Sequence, residues 1–206
     1  KYNVGEVGWS RPQGVGRVIL VAGQVEKDAS IRYGASGLNT NLGLLMAVLK
    51  ANPYAYVVYK PHPDVLAGLR QSGVGESAAS MHCDAVVTDV SMGLLLDEVD
   101  EIHVLTSLAG FEALLRGKKV VTYGHPFYAG WGLTDDQLPI DRRTRKLTLD
   151  ELVAAALLIY PTYVSRVTGQ FTTAETALDP HDAREGACIP GEHPHGVRDG
   201  EQVVRA

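Results

Sequence analysis

Cysteine is scarce in this chain, which has only Cys83 and Cys188 among 206 residues. The two lie far apart and outside any Cys-x-x-Cys spacing, which excludes a disulfide-built scaffold and a zinc knuckle. No apolar run approaches the length of about 20 residues that crosses a bilayer, and residues 1–8 lack the apolar core of a signal peptide. We therefore expect a soluble globular protein of the cytoplasm.

An excess of basic residues is also missing, since 19 Lys and Arg face 24 Asp and Glu, for a net charge of −5. Proteins that bind nucleic acid over a wide surface are usually basic, so nucleic acid is not an expected partner. The chain also lacks a GxxxxGK[ST] phosphate loop, a GxGxxG turn after its first strand, an HExxH metal motif and a GxSxG elbow. We expect no bound metal and no cofactor.

Short β-type runs alternate with helical patterns from residue 17 to about residue 163. The spacing of apolar residues predicts strands over 17–22, 54–59, 85–88, 102–105 and 119–123, and helices over 38–51, 64–71, 91–99, 108–116 and 149–160. This alternation is typical of βαβ units. The predicted fold class is therefore α/β, with a Rossmann-like parallel sheet that carries helices on both faces.

The two ends of the chain differ from this pattern. Residues 1–16 hold four glycines and a proline with little periodicity, and we interpret them as a linker. Residues 17–178 form the predicted domain. Residues 179–206 are rich in proline and glycine and poor in large apolar side chains, so they predict a disordered tail.

Unusual polar and aromatic residues follow four of the predicted strands directly. Ligands of open parallel sheets bind outside the carboxyl ends of the strands, so these positions are the candidate site. The candidates are Gln24 and Asp28 after the first strand, Lys60 and His62 after the second, Thr106, Ser107 and Glu112 after the fourth, and Tyr128 and Trp131 after the fifth.

The Lys60-Pro-His-Pro stretch suits an anion, because Lys60 supplies a charge and His62 a donor between two prolines of fixed φ. A simple rigid turn is the alternative. Thr106 and Ser107 offer hydroxyls at the start of a helix, which suits a phosphate or an ordinary helix cap.

Glu112 lies one turn into the same helix, where its carboxylate either accepts bonds from a ribose diol or complements the helix dipole. Trp131 belongs to a segment with four aromatics and three glycines, at 123–132. Such a loop often forms the wall of a ring or sugar site, although a place in the core is the alternative.

Four ordered motifs carry a resemblance to a known family. They are GQxxxDASI at 23–31, VYKPHPD at 58–64, TSLAGFEALLRGK at 106–118 and YGxPFYAGWGLT at 123–134. Together they resemble the capsule polysaccharide biosynthesis family of the KpsC/LipB type, over residues 1–177. The KPHP stretch is similar to the His-Pro motif with which bacterial sialyltransferases hold CMP-sugars.

The resemblance implies a retaining glycosyltransferase of GT-B architecture, which adds β-Kdo from CMP-β-Kdo to a phosphatidylglycerol lipid in the linker of Gram-negative capsules. Family members are cytoplasmic and peripheral on the inner membrane, where they contact the capsule export complex. This chain resembles only the donor-binding half. The half that holds the lipid-linked acceptor and the nucleophile is absent from these residues.

The resemblance also implies roles for individual residues. Lys60 and His62 would act at the CMP phosphate and the leaving group, Thr106 and Ser107 would bind the phosphate, Glu112 the ribose, and Gln24 and Asp28 the donor sugar. Two other functions stay open. One is a GT-B enzyme with a different nucleotide sugar, and the other is a non-catalytic interaction domain of the capsule assembly complex.

Overall fold

The computed structural model describes residues 8–73 and 75–179. Within them the chain forms two compact units, one that ends at Leu152 and one that begins at Val153. The predicted tail lies outside the described residues except for Asp179, and so do residues 1–7 of the predicted linker. The bounds of linker, domain and tail therefore stay predictions. No helix in the described ranges is long and apolar enough to cross a membrane.

A six-stranded parallel sheet forms the centre of the first unit. Its strands are β1 (Val18–Ala22), β2 (Tyr56–Lys60), β3 (Ala85–Val86), β4 (Glu101–Val104), β5 (Lys119–Thr122) and β6 (Asp135–Asp136). Their spatial order is β3-β2-β1-β4-β5-β6, and each neighbouring pair is parallel. The order reverses between β1 and β4, as in Rossmann-like sheets. The predicted α/β fold is confirmed.

Short helices connect these strands, most of them capped by the side chain that precedes them. They are α1 (Ala29–Gly34), α2 (Asn41–Ala51), α3 (Pro63–Leu66), a 3₁₀ helix (Glu76–Met81), α4 (Met92–Glu98) and α5 (Ala109–Leu114). The side chains of Asp28, Thr40, His62 and Ser91 accept bonds from backbone N–H groups of α1, α2, α3 and α4. The sequence pattern missed α1, and the predicted helix over 64–71 ends at Leu66.

Strand β1 lies in the middle of the sheet, and all five of its side chains are buried. Neighbouring side chains of a strand point to opposite faces, so both faces of the sheet are covered here. On one face Ile19 and Val21 pack in a cluster with Leu44 and Val48 of α2.

A buried polar network occupies one face of β4. Glu101 pairs with Arg17, with Lys119 (3.3 Å) and with the Nε2 of His103 (3.1 Å), whose Nδ1 lies 3.2 Å from the hydroxyl of Tyr123. Burial lowers the pKa of His103 even though Glu101 acts to raise it. Burial alone would raise the pKa of Glu101, but hydrogen bonds from Arg17 and His103 hold it below its usual value.

The predicted helix over 149–160 begins as expected. Thr148 and Glu151 form a capping box, in which the Thr148 N–H donates to Glu151 (2.8 Å) and the Glu151 N–H donates to the Thr148 hydroxyl (3.2 Å). The α-helix α6 (Leu149–Ala154) then passes into a π-helical turn (Ala155–Ile159). Because a π turn bonds i to i+5, the 3.6-residue period is lost, and Tyr160 at the end of the predicted helix is 89% exposed.

The second unit continues with an antiparallel hairpin and a short helix. Its strands are β7 (Tyr163–Val164) and β8 (Phe171–Thr172), and the helix is α7 (Ala174–Ala177). The hydroxyl of Tyr163 donates to the carbonyl of Leu157 (2.6 Å), which fixes the hairpin to the preceding π turn.

Candidate functional site

A cleft of about 540 Å³ opens at the carboxyl ends of β1, β2 and β4. Clefts of this size hold small ligands. Three parallel strands end side by side here, so the loops that follow them share one edge of the sheet. Seven of the nine candidate residues line the cleft, namely Gln24, Asp28, Lys60, His62, Thr106, Ser107 and Glu112.

Glycine at position 23 lets the loops after β1 and β2 approach closely. The Gly23 N–H donates to the carbonyl of Lys60 (2.8 Å). A Cβ at this position would lie 2.7 Å from the Tyr59 hydroxyl and 3.2 Å from the Cα of Pro61. Any larger residue would therefore separate the two loops that form the floor of the cleft.

Gln24 is 8% exposed, and its amide spans the switch point of the sheet. Its Nε2 donates to the hydroxyl of Thr106 (3.0 Å), and its Oε1 accepts from the Thr106 N–H (2.9 Å). The side chain of buried Asn41 accepts a bond from the Gln24 N–H (2.9 Å) and donates one to the Gln24 carbonyl (2.8 Å). This geometry makes Gln24 a tie between two loops, rather than an amide that is free for a ligand.

Asp28 lies at the exposed side of the cleft and caps α1. Its carboxylate accepts from the Ser30 N–H (2.8 Å). That backbone bond lowers the pKa of Asp28, and the Ser30 side chain and the charges of Arg70 and His62 act in the same direction. Asp28 is therefore ionised at neutral pH and contributes a negative charge to the cleft.

Lys60 ends β2, lines the cleft and is only 5% exposed. Its ammonium donates to the carbonyl of Val90 (2.6 Å), and the Thr88 carbonyl lies 3.5 Å away. Burial lowers the pKa of Lys60, although Asp89 acts to raise it. The ammonium group is thus held by backbone carbonyls of the loop after β3.

His62 has a fixed ring orientation. Its Nδ1 accepts from the Asp64 N–H (3.1 Å), which makes it the cap of α3, while Pro63 occupies the first turn of that helix. A ring nitrogen that accepts a bond carries no proton in the neutral imidazole, so the proton lies on Nε2. The Nε2 atom is therefore a hydrogen-bond donor.

The loop between β4 and α5 forms the third side of the cleft. The Ser107 hydroxyl accepts from the Ala109 N–H (3.2 Å), so it acts as a turn cap while it faces the cleft. Glu112 is half-buried in the first turn of α5 and also lines the cleft. Its carboxylate is an acceptor on the side of the cleft opposite the β2 loop.

The two aromatic candidates do not line this cleft. Tyr128 is fully buried, its hydroxyl donates to the carbonyl of Ser107, and its ring lies 6.2 Å from that of Phe111. Burial raises the pKa of Tyr128 far above its usual value. Gly110 makes room for this ring, since a Cβ there would overlap the Tyr128 hydroxyl. Tyr128 therefore supports the Ser107 loop from within the core.

Trp131 is likewise outside the lining residues and belongs to a loop that Arg143 braces. Its Nε1 donates to the Phe127 carbonyl (2.8 Å), and the Arg143 guanidinium lies 5.1 Å from the ring centre. Arg143 also donates to the carbonyl of Pro126 (2.7 Å). The expectation that Tyr128 and Trp131 wall the cleft is corrected, because neither residue lines it. The Trp131 indole donates to Phe127 of its own loop, and the Tyr128 hydroxyl donates to Ser107 of the loop after β4.

Several lining residues escaped the sequence pattern: Ser30, Asp64, Arg70 and Met92. Arg70 lies at the end of a predicted helix that in the structure ends at Leu66, so nothing in the pattern distinguished it from other helical residues. Buried Asn41 was missed because it falls within the apolar pattern of α2. Its signal was an amide at the first position of a helix that follows a Thr cap.

The cleft offers hydrogen-bond donors and mixed charge. Among its described lining residues, three carboxylates (Asp28, Asp64 and Glu112) face the two cations Lys60 and Arg70. No group of three or more His, Cys, Asp or Glu in the described ranges could hold a metal ion. Such a cleft can bind a polar ligand whose negative groups meet Lys60, His62 and Arg70.

Comparison with solved structures supports this description of the fold. The chain is similar to the β-Kdo 2,7 transferase of Thermosulfurimonas dismutans KpsC, with 50% identity and a TM-score of 0.72, over 81% of this chain and 54% of that one. It is also similar to the β-Kdo 2,4 transferase of the same KpsC, with 35% identity and a TM-score of 0.67, over 85% and 54% of the two chains.

Sequence comparison leads to the same group of proteins. The capsule polysaccharide modification protein LipA of Neisseria meningitidis serogroup A is 52% identical over 177 residues, which are 86% of this chain and 25% of LipA. This chain thus spans about half of the KpsC structures and a quarter of LipA. The model of the family described as capsule polysaccharide biosynthesis protein matches residues 5–172. The chain belongs to the capsule polysaccharide biosynthesis protein family.

Proposed function

We propose that this chain is the donor-binding part of a retaining glycosyltransferase that transfers β-Kdo from CMP-β-Kdo to a phosphatidylglycerol-linked acceptor during capsule linker synthesis. The observation that carries the proposal is the convergence of Lys60, His62, Ser107 and Glu112 on one cleft at the switch point of the sheet. The similarity to two KpsC β-Kdo transferases supports the choice of sugar.

In this proposal CMP lies across the cleft, with its ribose hydroxyls on Glu112 and its phosphate between Ser107 and the β2 loop. The Lys60 ammonium, buried and aimed by the Val90 carbonyl, supplies the charge that opposes the phosphate. Charge-assisted bonds of this kind contribute about 1.5–3 kcal/mol each. Gln24 acts indirectly, because its amide is bound to Thr106.

His62 stabilises the departing CMP. When the bond between the sugar and the phosphate breaks, negative charge grows on the phosphate oxygen that leaves. An N–H donor at Nε2, set by the bond between Nδ1 and the Asp64 N–H, strengthens its interaction as that charge grows. This chain spans 54% of the KpsC structures. In the proposal, the nucleophile and the acceptor site belong to the part of the transferase outside this chain.

Calorimetric titration of the chain with CMP, UMP and ADP tests the proposal. Binding of CMP with clear preference over the other two nucleotides is the expected result. Preference for UMP or ADP would indicate a different nucleotide sugar. Absence of binding by all three would indicate an interaction domain without a donor site.

A further inference from the structure

Arg70 stands out among the residues that line the cleft. Its side chain is exposed, and its guanidinium makes no hydrogen bond within the described part of the chain. The backbone N–H groups of Leu69 and Arg70 both donate to the Asp64 carbonyl, at 2.9 and 3.1 Å, so the base of the side chain is anchored to α3. The cleft thus holds a positioned arginine whose donors are available to a ligand.

The other cation of the cleft has a different environment. The Lys60 ammonium is buried and bonded to the Val90 carbonyl, whereas the Arg70 side chain is exposed. The three carboxylates of the lining exceed these two cations in number. The cleft as a whole therefore does not attract anions. A ligand with two negative groups binds only if each group contacts one of the two cations.

The path of the chain associates Arg70 with the β2 side of the cleft. Glu112 follows β4, Gln24 and Asp28 follow β1, and Arg70 follows the β2 loop and α3. The charge of Arg70 lies close enough to Asp28 to lower its pKa. If ribose lies on Glu112 and phosphate near Lys60 and His62, the remaining end of the ligand, the sugar, reaches Arg70.

We infer that Arg70 is the specificity-determining residue for a donor sugar that carries a carboxylate, and that its guanidinium binds this carboxylate. The inference rests on the proposed function. A planar guanidinium matches a carboxylate with two parallel hydrogen bonds, a geometry that a lysine cannot reproduce.

The test uses the chain itself and calorimetry with three probes: CMP, an unreactive CMP-Kdo analogue with a free carboxylate, and the methyl ester of the same analogue. The wild-type chain should bind the acid about ten to a hundred times more tightly than the ester. Arg70→Met should bind acid and ester equally, with its CMP affinity unchanged. Arg70→Lys should retain only part of the preference, and the exposed control Arg142→Met should behave as wild type.

Two results would overturn the role of Arg70 alone. One is an Arg70→Met variant that keeps the preference for the acid. The other is an Arg70→Met variant that loses as much affinity for CMP as for the acid, which would place the guanidinium on the phosphate. Failure of the wild-type chain to bind CMP would instead overturn the proposed function, and the assignment of Arg70 with it.

Discussion

The amide of Gln24 and the peptide N–H and hydroxyl of Thr106 make two hydrogen bonds in opposite directions, at 2.9 and 3.0 Å. They join the loops after β1 and β4, two strands that are neighbours in the sheet although 82 residues separate the partners in sequence. The position of the β4 loop, and with it Ser107, therefore depends on a side chain of the β1 loop.

Substitution of Gln24 by alanine should weaken the binding of CMP itself, not only of the complete donor. The loss of a buried partner leaves the Thr106 N–H unpaired, which costs about 1–3 kcal/mol. Calorimetry with CMP and a measurement of unfolding free energy would record both effects. A double-mutant cycle with Thr106→Ala should show non-additive losses, because both variants remove the bond between the Gln24 amide and the Thr106 hydroxyl. A Gln24→Ala variant with unchanged CMP affinity and a weakened donor would place Gln24 on the sugar instead.

The buried position of Lys60 predicts an unusual pH dependence of CMP binding. Burial lowers the pKa of Lys60, so its ammonium loses a proton at a lower pH than an exposed lysine does. Only the charged form attracts phosphate, and CMP affinity should therefore decline as the pH rises through this lowered pKa. Titrations from about pH 7 to about pH 10 in buffers of different ionisation enthalpy should show proton uptake on binding. Lys60→Arg should remove the proton uptake, and an equal uptake in that variant would contradict the assignment.

His62 combines two roles that different substitutions separate. Asparagine can replace the Nδ1 acceptor that caps α3, while glutamine can replace the donor at Nε2. In a protein that contains both halves of the transferase, His62→Asn should keep the thermal stability of the wild type and lower kcat about 100-fold, with a smaller change in KM. His62→Gln should recover part of kcat. Full turnover in His62→Asn would show that the Nε2 donor has no part in the reaction.

The network around His103 predicts a loss of stability in mild acid. Burial lowers the pKa of His103 below the value of about 6.5 that it has in the unfolded chain. The unfolded state therefore binds more protons, and the free energy of unfolding falls as the pH drops below about 6.5. Denaturant unfolding from about pH 7.5 to about pH 5.5 measures this decline.

In His103→Gln, the free energy of unfolding should fall less between these pH values than in the wild type. The exposed control His82→Gln should show the same fall as the wild type. Glu101, the carboxylate that faces His103, stays ionised in this range because its own pKa is held below the usual value. A His103→Gln variant with the same pH dependence as the wild type would contradict this prediction.

The sequence pattern predicted the sheet and the place of the cleft well, because both follow from local features. Apolar runs such as Val18–Ala22 mark buried strands, and parallel strands bring the residues that follow them to one edge. The strand β6 (Asp135–Asp136) could not be predicted from apolar runs, because it consists of two acidic residues that form a strand only by pairing with β5.

The environment of single side chains depended on contacts between distant parts of the chain. Trp131 and Tyr128 looked like the wall of a site in a glycine-rich loop. In the structure, the Arg143 guanidinium lies over the Trp131 ring, and the Tyr128 hydroxyl donates to the Ser107 carbonyl. Arg143 belongs to a basic run at 142–146, yet it is half-buried and donates to the carbonyl of Pro126. The periodicity of apolar residues reports local structure, so it could not predict these contacts between distant residues.

A crystal structure of the chain with CMP is the most direct test of the donor site. We expect CMP in the cleft at the ends of β1, β2 and β4, with phosphate oxygens within about 3.2 Å of donors from Lys60, His62 or Ser107 and the ribose hydroxyls on Glu112. CMP bound outside this cleft, or bound within it with the phosphate away from Lys60 and His62, would contradict the proposed donor site.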